Sequence, residues 1–191
     1  MNEAASLTMV AQIAIAQLAS FASLLLAVAS LHKLYDYTRA AQAVQDLTGL
    51  ARTLAVPAAL GIAAAEFVAA IGLWIAPLRF DAALLAALIW SGYFVFLLQA
   101  VAAGRSDIDC GCSFATAHRP LGLFQMLRAA LLALLGFVIA LSAAIAPGAL
   151  AYDASMAAIA TQVLAGAALL ALYAALDQVM SLQPLRAGVQ A

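Results

Sequence analysis

Residues 54–75 read LAVPAALGIAAAEFVAAIGLWI, 22 positions with a single charged side chain. A helix that crosses a hydrocarbon core about 30 Å thick needs about 20 mostly apolar residues, and this run supplies them. Its proline, Pro57, falls in the first turn, where a missing N–H costs little. The outlier is Glu66, near the middle.

Four comparable runs lie outward from this one, at about 7–31, 82–103, 121–146 and 154–176. The 191-residue chain is 68% hydrophobic and 9% charged, with a mean hydropathy of +1.08. Soluble domains are roughly 45–50% apolar and about 25% charged. A soluble globular protein is therefore excluded. The expected fold class is all-α, a polytopic transmembrane helical bundle of about five spans, with a four-helix core plus a C-terminal helix in one integral membrane domain, 1–191. A secretory leader is not expected at the N-terminus, because Leu7–Leu31 runs uncharged beyond the 7 to 15 residues of a signal h-region and no Lys or Arg precedes it. There is no Gly-rich phosphate loop and no basic nucleic-acid patch.

Two segments break the apolar pattern. Residues 32–53 mix Lys33, Asp36, Arg39, Asp46 and Arg52 with Leu34, Tyr35, Tyr37, Val44 and Leu47, the composition of an amphipathic segment on the membrane surface. Residues 104–120 form a polar loop containing Arg105, Asp107, Asp109, Cys110, Gly111 and Cys112, with both cysteines of the chain. Two cysteines are too few for a disulfide framework and read as a redox or metal-binding pair. Gly111 permits the turn that an i, i+2 disulfide needs, and so small a ring is strained and easily reduced. A soft metal on the two thiolates, Cys110 and Cys112, is the alternative, with His32 and His118 on the same face.

Five spans put Lys33, Arg39, Arg52, Arg105, Arg119, Arg186 and both cysteines on one membrane face, and only Arg79 on the other. By the positive-inside rule that face is cytoplasmic. Oxidative thiol chemistry needs it in the periplasm, since the cytosol keeps thiols reduced. Within the spans, Glu66 and Arg128 lie at comparable depth below the cysteine face and are expected either to pair or to bracket a cavity, since an intramembrane charge costs about 2.5–3.5 kcal/mol and seeks a partner. The bland alternative is a snorkelling Arg128 and a neutral, merely packed Glu66. Trp74, Trp90, Tyr93 and Phe94 fit a pocket for a flat ring such as a quinone, or ordinary packing.

His32-Lys33-Leu34, Pro57, Glu66, Asp107-Ile108-Asp109-Cys110-Gly111-Cys112 and Arg128 together resemble the methylamine utilisation protein MauE family, over about Leu31 to Gly136. Family members often follow the helix 4 arginine with Asn, whereas Ala129 stands here. The resemblance implies a multi-pass protein of the bacterial inner membrane, related to DoxX and vitamin K epoxide reductase type proteins, that acts in maturation of the disulfide-rich β-subunit of methylamine dehydrogenase. It also implies a thioredoxin-like MauD-type partner. On this reading Cys110 and Cys112 are the redox pair, Glu66 and Arg128 support it from below, Lys33, Arg105, Asp107 and Asp109 steer the partner, and a quinone is a candidate electron acceptor. Against this thiol-disulfide oxidoreductase stand a non-catalytic chaperone or export factor for the subunit and a thiol-based soft-metal carrier.

Overall fold

The computed structural model describes residues 3–104, 123–145 and 156–182. Of the residues singled out above, Arg105, Asp107, Asp109, Cys110, Cys112, His118, Arg119 and Arg186 lie outside the described residues. The chain forms α1 (Glu3–Tyr35), α2 (Tyr37–Thr48), α3 (Arg52–Gly72), a 3-10 turn (Ala76–Leu78), α4 (Arg79–Ala102), α5 (Leu123–Ile145) and α6 (Met156–Leu182). Among the described residues five helices, all but α2, are long and apolar enough to cross a membrane, and the protein is a polytopic helical bundle.

Helices α1, α3, α4 and α5 form the core: α3 packs on α1, α4 on α3, and α5 on α4, while α6 lies along α1. Hydrocarbon offers no hydrophobic reward for helix association in a bilayer, so small residues and short interhelical hydrogen bonds must hold the contacts. The α1–α3 seam follows this rule. Ser30 Oγ donates to the Ala63 carbonyl at 2.8 Å and Ser23 Oγ to the Ala70 carbonyl at 2.7 Å. Both pairs are seven residues apart on each helix, which fixes an antiparallel register with residue 27 opposite Glu66. Between α4 and α5, Gly136 lets the backbones close up. A Cβ there would stand 2.9 Å from the Ala87 backbone.

The break between α1 and α2 has a local cause. The Asp36 carboxylate caps α2 by accepting from the Arg39 N–H at 3.1 Å, and Gly49, at φ 73°, ends α2 in the left-handed conformation that lacks a Cβ penalty. Helix α2 turns its small and apolar residues inward: Ala41 packs with Ala55 and Ala59 of α3, and Leu47 reaches the end of α4 at Leu97 and Ala100. Within the stretch 32–53, residues 32–35 belong to α1 and 52–53 to α3, and the separate helix α2, Tyr37–Thr48, lies across the ends of α3 and α4, on the side where α4 ends and α5 begins. At the opposite end Arg79, 2% exposed, is the first residue of α4, and its Nε donates to the Leu73 carbonyl at 3.0 Å. It completes the C-terminus of α3, where unsatisfied carbonyls favour a cation.

Candidate functional site

The chain leaves α4 at Ala102 and re-enters at Leu123 on the end of the bundle that also holds Lys33. Below that end lies a buried polar cluster. Lys33 Nζ donates to both Glu66 oxygens at 2.9 Å, and the Tyr93 hydroxyl donates to Glu66 Oε1 at 2.6 Å. The ammonium also stands 5.5 Å from the Tyr93 ring centre. Glu66 is 1% exposed and Lys33 12%.

Helix direction explains how these residues meet. In the register fixed by the serine bonds, Lys33 is six residues nearer the end of the bundle than the level of Glu66, about 9 Å along the axis. Side chains tilt toward the N-terminus of their own helix. The Lys33 side chain therefore leans inward along α1, Glu66 leans outward along the antiparallel α3, and the two converge. Tyr93 closes the cluster from α4, with Lys33, Glu66 and Tyr93 joining three core helices.

A second ion pair lies between α5 and α6. Arg128 Nη1 donates to Asp177 Oδ1 at 2.7 Å, with the side chains 12% and 7% exposed. The guanidinium is 5.9 Å from the Tyr173 ring centre, and Tyr173 meets Phe21 of α1 edge-on at 5.8 Å. The pairing entertained between Glu66 and Arg128 is not made: Glu66 is taken by Lys33 and Tyr93, and Arg128 by Asp177. The physical reason is the helix order, since α1 is the neighbour of α3 whereas α5 packs against α4. Asp177, one residue past the expected last span at about 154–176, is a buried partner inside α6, which continues to Leu182. The signal was available by counting, because Arg128 is five residues into α5 and Asp177 five residues before the end of α6.

The aromatic residues do not gather round one space. Trp90 is 5% exposed within the main core, Phe94 packs with Leu97 and Ala129, and Trp74 Nε1 donates to Ser23 Oγ at 2.7 Å near the other end of α3. Among the described residues these four positions do not line one common cradle for a flat ring such as a quinone. Among the described residues no cluster of three or more His, Cys, Asp or Glu side chains is placed to hold a metal ion.

No curated protein and no solved structure matches the chain. A family model does, over residues 9–145, from the start of the first span through the whole of α5, taking in both the Lys33–Glu66–Tyr93 cluster and Arg128 but not α6. The chain therefore belongs to the family described as Methylamine utilisation protein MauE.

Proposed function

We propose that this methylamine-utilisation membrane protein is a thiol-disulfide oxidoreductase that matures the β-subunit of methylamine dehydrogenase. What supports the reading is the Cys110-Gly111-Cys112 motif in the sequence that joins α4 to α5, two helices whose joined ends lie on the side of the bundle where the Lys33–Glu66–Tyr93 cluster is built. A thiolate of the substrate attacks the Cys110–Cys112 disulfide to form a mixed disulfide, and a second substrate thiolate displaces it. The substrate leaves with a new disulfide and the pair leaves as a dithiol, having gained two electrons and two protons. Exchange with the disulfide of a thioredoxin-like, MauD-type partner returns the pair to its oxidised form and reduces that partner. Arg105, Asp107 and Asp109 steer the partner, while Glu66 holds Lys33 and Arg128 braces α5 below the loop.

This chemistry places the cysteine end in the periplasm of a bacterial inner membrane. The basic count on that end is a weaker objection than it first looks, because Lys33 is drawn into an ion pair with Glu66. A second reading, a chaperone or export factor with structural cysteines, is favoured by the closed geometry of the cluster, in which Lys33, Glu66 and Tyr93 satisfy one another. Replacing Cys110 and Cys112 together by Ser separates the two. Loss of β-subunit disulfides, with the protein still present in the membrane, supports the oxidoreductase. Maturation at the wild-type level sinks it and leaves the chaperone.

A further inference from the structure

Helices α1 and α6 run in the same direction, since the Lys33 end of α1 and the Asp177 end of α6 both lie on the side where α5 begins. They come closest at Gly166, where a Cβ would stand 3.0 Å from the Ser20 carbonyl carbon and 3.1 Å from the Phe21 nitrogen. The Ser20 hydroxyl donates to the Gln162 carbonyl at 2.9 Å, and the Phe21 ring meets Tyr173. Ser20 and Phe21 thus both face α6, three and four residues after Gln17. At about 3.6 residues per turn, Gln17 points at α6 between their two lines, one turn before them. Gln162 lies one turn before Gly166, on the face that α6 turns to α1. Because the helices are parallel, the two glutamines meet at one level of the seam.

Their side-chain oxygens are buried at this level, and among the described residues neither Gln17 Oε1 nor Gln162 Oε1 accepts a hydrogen bond. A carbonyl oxygen wants a donor, and hydrocarbon has none to give. Residues 13–21 and 158–166 carry no charged side chain, so a cation here would meet no counter-charge. The level lies about 12 Å inside the span that starts at Met9 and about 9 Å inside the one that starts at Met156. It is short of the bilayer centre, on the face opposite the one where α5 begins.

We propose that the α1–α6 seam holds one water molecule, which donates a hydrogen to Gln17 Oε1 and the other to Gln162 Oε1. Water is neutral, carries two donors, and is small enough for a seam that closes one turn further on at Gly166. Two polar partners are what an internal water needs. Helix α6 is the least buried of the five spans, and a bridge at this level ties its first half to the core.

The test is NMR of the full chain in phospholipid nanodiscs, with ¹⁵N-labelled glutamine side chains and selective excitation of water. Cross-relaxation between a long-lived water and the side-chain amides of both Gln17 and Gln162 is expected, its sign in the rotating frame separating it from proton exchange. Gln162→Met should reduce the contact at Gln17 to the noise, and Gln17→Met should do the same at Gln162. Circular dichroism checks that both variants keep their helix content, and the wild-type spectrum decides the matter even if one does not. Absence of a water contact at either glutamine in the wild type would overturn the site. So would a hydrogen-bond coupling from the NH₂ of one glutamine to the carbonyl of the other, which is direct amide pairing, or a water contact that persists at the surviving glutamine of a folded variant.

Discussion

Replacing Lys33 by Met strands the Glu66 carboxylate, 1% exposed, with only the Tyr93 hydroxyl as donor. Removing one partner of a buried ion pair costs about 3–5 kcal/mol, because the surviving charge keeps its desolvation penalty and loses its counter-charge. The reverse change, Glu66→Gln, should cost less, about 1.5–3 kcal/mol, the scale of hydrogen bonds to a charged group. Lys33 is two residues from the end of α1 and 12% exposed, so its ammonium can turn toward the headgroups, an escape that Glu66 lacks. The double variant leaves no stranded charge, so it should be less destabilised than the sum of the singles. A coupling energy of at least about 2 kcal/mol is expected, well above the average of about 0.6 kcal/mol for interhelical hydrogen bonds in a bilayer. Reversible unfolding in mixed micelles, titrated with SDS and followed by circular dichroism, measures all four corners of the cycle. A Lys33→Met cost below about 1 kcal/mol, or a coupling no larger than the hydrogen-bond average, would refute the buried ion pair.

Gly136→Val should push α5 off α4, since the added Cβ meets the Ala87 backbone at 2.9 Å, and lower stability by about 1–3 kcal/mol in the same unfolding assay. Asp177→Asn removes the counter-charge of Arg128 and should loosen the end of α6, seen as faster amide exchange over the last turns of that helix while α3 is unaffected. The Asp36 carboxyl is held below the ordinary carboxylate range, first by the Arg39 N–H and then by the Thr38 hydroxyl. A carboxylate lowered in this way supports the fold above its unfolded value, near pH 4, and loses that support as pH falls through its folded value. Protection of the α2 amides, taken relative to the intrinsic exchange rate at each pH, should therefore fall below about pH 4 in the wild type, and Asp36→Ala should show the lower protection at neutral pH.

The spans were legible because they depend on composition over some twenty positions, and no single residue decides them. Residues 32–53 stood out by composition, but the run of α1 to Tyr35 and the bounds of α2 at Asp36 and Gly49 are local capping events that composition does not reveal. The pairing of charges was a different problem. Glu66 announced itself as a charge within an apolar run, yet its partner depended on which helix packs beside α3, and nothing in the runs of Ala and Leu specifies that order. Lys33 was read as a steering residue at the membrane surface, because its own position is interfacial; only the inward lean of its side chain along α1 brings it to Glu66. Tyr93 was noted for its ring, whereas its hydroxyl makes the shortest bond of the cluster. Arg79 was read only as the one basic residue of the opposite face, and its burial against the Leu73 carbonyl follows from how tightly the α3–α4 turn closes.

The reading of Cys110 and Cys112 as a periplasmic redox pair is tested most directly by thiol labelling of intact cells with a membrane-impermeant maleimide, before and after a permeant reductant, with the double Cys→Ser variant as blank. Labelling that appears only after reduction is expected, and it places an oxidised pair in the periplasm. Labelling obtained only after lysis would put the pair in the cytoplasm and contradict the oxidative maturation role.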